Sequence, residues 1–349
     1  FYRKLLQIRK QSKDLIYGDY FDLDALLSEE HKMVRDSVRN YVKKEISPII
    51  EDYAQRAEFP EHIVKQLGEL GCFGPTVPVE YGGGGLDYIS YGLMMQELER
   101  GDSGVRSTAS VQGSLVMFPI QAFGSEEQKK HFLSKLASGE WLGCFGLTEP
   151  NHGSDATYLE TTAYRDGDEW VINGMKRWNS GLHHATHDII FARTSGTPGD
   201  PVGISAFLVP TDAPGFNVDF FWWTFNMPTD HAEVSMKDVR VGEEAVFGRI
   251  DHGLELAQHF VHENRIRQAA SSLGAAQYCI NEAVRYSNER ITWGKKLSVN
   301  QGIQFPLVEL HTEAAMLRQL IRYTASLMDN SVKSDRPDVE GFMELTHLV

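Results

Sequence analysis

The residues best suited to chemistry lie in short segments, of which "GCFGLTEPNHGSD" at residues 143–155 is the first. An apolar run there ends in Thr148, Glu149 and a proline, and a loop of glycine, serine and aspartate follows. Exposed backbone N–H groups, together with threonine and serine hydroxyls, can hold a polar ring system or a phosphate. The segment is therefore a candidate cofactor site, and an ordinary strand–loop junction is the alternative.

A second candidate is "MKRWNSG" at residues 175–181. Trp178 could stack on a planar cofactor, and the hydroxyl of Ser180 could hydrogen-bond to it. Tryptophan in a β region more often belongs to the hydrophobic core, so a core position is the alternative.

The third segment, "NERITWGKKLSVNQGIQ" at residues 288–304, combines a cation, a hydroxyl and an aromatic ring. Arg290, Thr292 and Trp293 stand there before the helix-breaking Gly294. Arginine binds phosphate through its planar fork of N–H donors. Arg290 could equally serve as the terminal charge of a helix.

In the fourth segment, "HENRIRQ" at residues 262–268, Arg265 and Arg267 interrupt an apolar helical pattern. A buried arginine needs a partner, so we expect one of the two to meet an anion or a carboxylate. Glu263 or Glu255 could supply that carboxylate within the helix itself.

A single arginine also stands out in "ELERGDSGVRSTASVQGS" at residues 97–114. The pattern predicts a helix over 87–118, and around Arg106 its face carries mostly small or hydroxylated side chains. Asp102, four residues earlier, could form an exposed ion pair with Arg106 worth about 0.3–0.5 kcal/mol. Small neighbours would instead leave a hollow beside the arginine, which favours a bound ligand.

The bulk composition limits the classes of partner. A net charge of −14 over 349 residues argues against a nucleic-acid-binding surface. The three cysteines form no CxxC pair, which fits a reducing compartment such as the bacterial cytoplasm or the mitochondrial matrix. No apolar run is long enough to predict a membrane span. The basic start, "FYRKLLQIRKQSK", is either a first amphipathic helix or the remainder of a transit segment.

The periodicity divides the chain into three parts and predicts an α+β fold. Residues 1–138 read as an N-terminal helical domain, with Ser28 and Ser125 as helix N-caps. Residues 139–252 read as an antiparallel, barrel-like β domain, in which Asn173 and Gly174 predict a hairpin turn. Residues 253–349 read as a C-terminal helical bundle that we expect to be incomplete, because its last residues still read as helix interior.

The order and spacing of these segments resemble the acyl-CoA dehydrogenase flavoprotein family. "GLTEP-x-x-GSD" after a helical domain, a Trp-x-Ser in the β domain, and "ER-x-T-W-GK" in the last helical domain carry the resemblance, over residues 22–330. It implies FAD between the β domain and the C-terminal helices, an acyl-CoA substrate, and a homotetramer. It also implies electron transfer to an electron-transfer flavoprotein.

The resemblance assigns roles residue by residue. Contacts to the flavin fall on Phe145, Leu147, Thr148, Trp178 and Ser180, where serine replaces the family's threonine. Ser154 matches a serine between the flavin and the CoA arm. The segment that reaches the FAD of a neighbouring subunit is matched by Arg290, Thr292 and Trp293, with Gln301 as a further FAD contact. Asn264 and Arg265 match positions near the acyl-CoA.

The implied reaction removes the α-proton next to the thioester while the β-hydride passes to the flavin. The family's base is usually a glutamate in a last helical segment, which we expect beyond Val349. Some members place it just before the arginine matched by Arg265, where this chain has Asn264. The alternative is a flavin oxidase or monooxygenase, or a non-catalytic relative, without a base.

The N-terminal half is most similar to the glutaryl-CoA dehydrogenase branch. In that branch an arginine matching Arg106 binds the free carboxylate of the substrate. A glutamate matching Glu99 lies in the same acyl pocket, and a serine matching Ser107 flanks the arginine. The implied substrate is a short dicarboxylic acyl-CoA, with or without a subsequent decarboxylation. The downstream half, including "FFWWTFNMPTDHAEV" and "FVHENRIRQAASS", is similar to more divergent members.

Overall fold

The computed structural model of the chain describes Asp24 and residues 27–224 and 231–332. The basic first segment, the "FNMPTD" stretch and the helix-like ending, for which the sequence makes predictions, lie outside these ranges.

Helices form the N-terminal part of the described chain. In order they are α1 (Glu29–Tyr41), α2 (Ile50–Arg56), α3 (His62–Glu69), α4 (Tyr88–Glu99), α5 (Ser103–Ser110), α6 (Phe118–Phe123) and α7 (Glu126–Ser138). Both predicted N-caps are confirmed. The Ser28 hydroxyl accepts the backbone N–H of His31 at 3.1 Å, and the Ser125 hydroxyl accepts that of Gln128 at 3.2 Å.

The single helix predicted over 87–118 is wrong, because the chain breaks between α4 and α5. Asp102 is the N-cap of α5 and accepts the N–H of Val105 at 2.8 Å. A Cβ on the adjacent Gly101 would come within 2.6 Å of the side chain of Val42, so glycine allows the chain to turn against the stretch that follows α1. After Ser110 the helix continues through a π-helical stretch, Val111–Met117, into α6.

A mixed sheet forms the middle part. Its strands are β1 (Gly143–Gly146), β2 (Thr162–Asp166), β3 (Glu169–Ser180), β4 (His187–Arg193), β5 (Ile204–Pro210), β6 (Phe216–Trp222), β7 (His231–Gly242) and β8 (Val246–Phe247). The order is β6-β7-β3-β2-β4-β5-β8, with β1 beside β4. The predicted antiparallel pairing holds except where β1 and β2 each run parallel to β4.

The predicted hairpin at Asn173 and Gly174 is also wrong, since β3 runs straight through both residues. The register shifts at this point against β7, which marks a bulge. A Cβ on Gly174 would come within 2.6 Å of the Cα of Thr161. The glycine therefore allows β3 to pass close to the backbone just before β2. The turn between β2 and β3 lies instead at Gly167, whose φ is 65°.

Strand alternation ties the sheet to the helices. In β4, Ile189 and Phe191 belong to the hydrophobic cluster of the helical parts, whereas Ile190 and Ala192 belong to a second cluster within the sheet. Successive side chains of a strand point to opposite faces, so one sheet face is buried by helices and the other by strands.

Two long helices complete the described chain. They are α8 (Gly253–Glu289) and α9 (Gln301–Val332), separated by the short hairpin of β9 (Ile291–Thr292) and β10 (Lys295–Lys296). A Cβ on Gly253 would lie 2.9 Å from the backbone nitrogen of Ala206, so α8 begins directly on the sheet. Within the described ranges, no helix combines the length and hydrophobicity needed to cross a membrane.

The close packing of α8 on α4 yields a stability prediction. A Cβ at Gly274 would come within 2.3 Å of the Gln96 carbonyl oxygen, whereas one at Gly92 would make ordinary contacts of 3.8 Å or more in the same interface. We expect Gly274→Ala to lower the free energy of unfolding by about 1–3 kcal/mol. Gly92→Ala should raise it by about 0.5–1 kcal/mol, since alanine favours a helix interior. Urea unfolding of both variants measures this, and equal effects would contradict the packing.

Candidate active site

A buried ion pair supports the loop that follows β1. The ammonium of Lys176 lies 2.7 Å from the carboxylate of Glu149, and both side chains are almost fully buried. Lys176 also donates to the carbonyl oxygen of Leu147 at 3.3 Å. The strand β3 thus fixes the backbone on either side of Thr148 through one lysine.

The carboxylate of Glu149 ties this loop to the start of β2 as well. It accepts the backbone N–H groups of Glu160 and of Thr161, the latter at 2.9 Å. Burial by itself would raise the pKa of Glu149, but the charge of Lys176 and these hydrogen bonds hold that pKa below its usual value. The "GLTEP" backbone is therefore preorganised without any ligand.

Trp178 lies on the same strand and is not part of the core, contrary to the alternative drawn from the sequence. It occupies a second irregularity of β3, with a φ of 70°, and its side chain is 45% exposed. Its ring stands 5.1 Å from that of Trp222. Two residues on, the Ser180 hydroxyl lies 2.7 Å from Nδ1 of His231. The bulge leaves an indole face available beside the loop.

The remaining residues predicted around the flavin differ in how exposed their side chains are. The half-buried ring of Phe145 packs edge-on against Phe260 at 4.6 Å and against Phe191 at 5.1 Å. Leu147 and Thr148 are half-buried, and Ser154 is exposed.

Arg106 is buried, and its ion-pair partner is Glu99 and not Asp102. Its Nε donates to Glu99 at 2.5 Å, and one terminal nitrogen donates to the Ser110 hydroxyl at 3.3 Å. Ser103 also donates to Glu99, at 2.5 Å. The alternative of an exposed pair with Asp102 is therefore wrong, because Asp102 caps α5. Ser107, predicted to flank the arginine, is half-buried on α5.

On α8, the buried arginine of the predicted pair is Arg267, while Arg265 is half-buried. Nε of Arg267 donates to Oδ1 of Asn264 at 2.7 Å. Asn264 therefore acts as a neutral acceptor at the position for which the resemblance implies a base in some family members. Glu255, offered as a possible partner, is exposed and pairs with Arg249 at 3.3 Å.

The fold gathers three buried residues near Arg106, namely Tyr91, Ser114 and Glu263. Sequence reasoning missed Tyr91 and Ser114, and it named Glu263 only as a possible ion-pair partner for an arginine on the same helix. The Ser114 hydroxyl donates to the carboxylate of Glu263, and burial raises the pKa of that carboxyl group to about 7. The spacing of Glu263 and Arg267, one helical turn apart, was the available clue.

The third predicted segment lies far from the sheet. Its hairpin projects Trp293 into solvent with 99% exposure, and Arg290 and Gln301 are exposed too, while Thr292 is half-buried. The 37 residues of α8 separate it from the sheet, a length of about 55 Å. One copy of the chain therefore does not bring Arg290 and Thr148 to the same place.

Comparison with known proteins agrees with this architecture. Models of the acyl-CoA dehydrogenase N-terminal, middle and C-terminal domains match residues 28–140, 144–239 and 251–341. The chain belongs to the acyl-CoA dehydrogenase family. It is thus an oxidoreductase that acts on CH–CH bonds, and its cofactor is FAD.

Individual relatives show the same likeness. A probable acyl-CoA dehydrogenase of Bacillus subtilis is 39% identical over 87% of this chain and 80% of the relative. The human mitochondrial short-chain specific acyl-CoA dehydrogenase is 36% identical over 87% of this chain and 74% of its own. A Mycobacterium smegmatis glutaryl-CoA dehydrogenase, solved with FADH2, has a TM-score of 0.84 at 34% identity, covering 93% of this chain and 82% of that one.

The described residues fit FAD. A flavin needs donors for its polar edge and a flat surface for its ring, and both stand at the end of β1. The hydroxyls of Thr148 and Ser154 can donate, and the exposed ring of Trp178 offers an aromatic face. Gly153 leaves the loop open, since a Cβ there would touch only Thr148, at 3.8 Å.

The buried ion pair gives the prediction for this site. Lys176→Met leaves the Glu149 carboxylate buried without its cation, which should cost about 3–5 kcal/mol of unfolding free energy. It should also weaken FAD binding by loosening the Leu147 backbone. Thermal melts and the flavin absorbance retained after gel filtration measure both effects.

The control is the exposed ion pair of Arg240 with Asp166, whose loss in Arg240→Met should cost less than about 1 kcal/mol. The double variant Lys176→Met/Glu149→Gln should recover much of the lost stability. If the two single lysine and arginine variants behave alike, the role of Lys176 is refuted.

Proposed function

We propose that this protein dehydrogenates a short acyl-CoA whose acyl group ends in a carboxylate, with glutaryl-CoA as the best candidate substrate. The observation that carries the proposal is the buried Arg106, held by Glu99 and Ser110 on a helix of small residues. A guanidinium in this setting is oriented before any ligand arrives.

The donor geometry supports an anionic ligand. Glu99 and Ser110 occupy the Nε side and one terminal nitrogen of Arg106, and the guanidinium carries further N–H donors. Such donors suit a carboxylate, which arginine can bind through two parallel hydrogen bonds. The Glu99 carboxylate is oriented by Ser103, so the arginine keeps a fixed direction.

The cofactor site supports an assembly of several copies. FAD supplies the acceptor for the hydride, and Thr148, Ser154, Trp178 and Ser180 would hold it from the sheet. The length of α8 keeps Arg290, Thr292, Trp293 and Gln301 away from those residues in one chain. We infer that a second copy supplies this segment, within a homotetramer that passes its electrons to an electron-transfer flavoprotein. We expect it in the bacterial cytoplasm or the mitochondrial matrix.

A short acyl group without a carboxylate is the second candidate. It is favoured by the 36% identity to a human enzyme named as short-chain specific. Such a substrate would leave the free donors of Arg106 facing an apolar chain end, a costly arrangement for a buried cation. The two candidates differ in what lies next to Arg106, which makes this residue the test.

We predict that Arg106→Met raises the KM for glutaryl-CoA by about 10- to 100-fold, the loss expected for hydrogen bonds to a charged group. The KM for butyryl-CoA should change far less. Steady-state kinetics and anaerobic bleaching of the flavin by each acyl-CoA measure this. Arg100→Met, on the half-buried neighbour that pairs with Glu97, serves as the control.

Two results would reject the carboxylate specificity. One is a wild-type enzyme that butyryl-CoA reduces more efficiently than glutaryl-CoA. The other is an equal rise of both KM values in Arg106→Met. A flavin that stays yellow with every acyl-CoA would instead favour a relative that lacks dehydrogenase chemistry.

A further inference from the structure

Polar groups continue along one side of the α5 helix beyond Arg106. Ser110 follows one turn later and accepts a hydrogen bond from Arg106 at 3.3 Å. Ser114, in the π-helical stretch, donates to Glu263 on α8. Two hydroxyl groups, one turn apart, thus contact Arg106 on one side and a second buried acid across the helix interface on the other.

The α8 side of this interface carries a charge of each sign. Glu263 is 1% exposed and Arg267, one turn later, is 7% exposed. Arg267 donates from Nε to Asn264 at 2.7 Å and from a terminal nitrogen to Gln268 at 2.9 Å. Both acceptors are neutral amide oxygens. Within the described part of the chain, no carboxylate lies within ion-pair distance of Arg267.

Such a cation is expensive to bury. A guanidinium taken out of water needs a counter-charge in contact, and amide oxygens supply none. Burial lowers the pKa of Arg267 to about 10, and the nearby charges of Tyr91, Arg106, Glu263 and Glu99 act on it as well. Arg106 and Arg267 therefore share one buried region, approached from two helices.

The third wall of the region is α4. Its Tyr91 is 2% exposed, and the hydroxyl finds no hydrogen-bond partner of good geometry although Ser114 lies nearby. A buried hydroxyl without a hydrogen-bond partner destabilises the folded protein, and a ligand that forms this hydrogen bond would offset the cost. Among the described residues, the Arg267 guanidinium therefore has no contacting counter-ion and the Tyr91 hydroxyl has no well-aligned hydrogen-bond partner.

We propose that Arg267 and Glu263 form the α8 half of the acyl-binding site, and that Arg267 and Arg106 together hold the terminal carboxylate of the acyl group. This inference rests on the proposed function, and it assigns a specificity-determining role to α8. Arg106 on α5 and Arg267 on α8 bind the carboxylate from two sides. The charge state of Glu263 sets the net charge of the region.

Charge balance supports a single carboxylate. Arg106 and Arg267 contribute two positive charges, and Glu99 with the bound carboxylate contribute two negative ones. The region is then neutral when Glu263 is protonated. Burial already raises the pKa of Glu263 to about 7, so the proton is available near neutral pH. A substrate without a carboxylate leaves Glu263 ionised opposite Arg267.

This balance implies a pH dependence of substrate binding. The titratable groups facing Glu263 are Tyr88 and Tyr91 from α4 and Arg267 on α8, with Arg106 beyond Ser114. Burial raises the tyrosine pKa values above 10, so Glu263 is the group among these that changes charge between about pH 6 and pH 8. The KM for glutaryl-CoA should therefore rise with pH across that range, relative to the KM for butyryl-CoA.

The experiment measures kcat and KM of the FAD-loaded enzyme for glutaryl-CoA and butyryl-CoA. Arg267→Met should raise the KM for glutaryl-CoA at least roughly 10-fold more than the KM for butyryl-CoA, with a smaller effect on kcat. Arg267→Lys, which keeps the charge but loses the planar fork, should lie between wild type and Arg267→Met. Glu263→Gln should abolish the pH dependence of the glutaryl-CoA KM. The exposed Arg285, also on α8, supplies the control variant Arg285→Met.

The outcomes separate this inference from the proposed function. A wild-type enzyme with no preference for glutaryl-CoA over butyryl-CoA overturns both. A preference for glutaryl-CoA that Arg267→Met and Arg267→Lys leave intact overturns the role of Arg267 alone. Loss of flavin reduction by every acyl-CoA in Glu263→Gln, at unchanged FAD content and melting temperature, would assign Glu263 to proton abstraction and overturn its specificity role.

Discussion

The close approach of α8 to α4 is the contact on which the rest of the molecule depends. Gly274 lets the helix axes come together at Gln96, because any larger residue would collide with a backbone carbonyl. Two turns earlier, the same face of α8 presents Arg267, and then Glu263, to Tyr91 and Ser114. At its start α8 rests on β5, and at its end it carries the β9–β10 hairpin. One helix thus positions Arg267 and Glu263 and sets the distance between the sheet and the β9–β10 hairpin.

Buried charges are paired beside the loop that follows β1 but not in the interface of α8 with α4 and α5. Beside the loop that follows β1, Lys176 and Glu149 form an ion pair whose other hydrogen bonds go to the backbone. These bonds hold the backbone of that loop in place. Glu97 is likewise held by Arg39 at 2.8 and 2.9 Å. Between α8 and its neighbours, by contrast, Arg267 donates to two amide oxygens and Glu263 accepts from a serine, and neither has an ion pair among the described residues. Paired charges such as these support the structure, whereas buried charges without a contacting counter-ion are the basis for proposing a ligand site here.

Local chemistry in the sequence was a good guide wherever the physical cause is itself local. The caps at Ser28 and Ser125 and the three-part order of helices, sheet and helices all follow from a few neighbouring residues. The predictions failed where a distant segment intervened. Gly101 meets Val42 and Gly174 meets Thr161, so the predicted continuous helix is broken and the predicted hairpin becomes a bulge within one strand. Whether a glycine ends a helix, forms a turn or allows a close contact within a strand depends on what packs against it.

The sequence by itself indicated the family and the cofactor, because motif spacing such as "GLTEP-x-x-GSD" records chemistry that few folds share. It could not determine which charge meets which. Asp102 stands four residues from Arg106, yet the chain turns there and Glu99 becomes the partner. Glu263 and Arg267 looked like an ordinary helical pair, and only burial against α4 and α5 showed that neither has its counter-ion in contact. A charge acquires its partner and its pKa from whatever surrounds it in three dimensions, and packing between distant segments decides those surroundings.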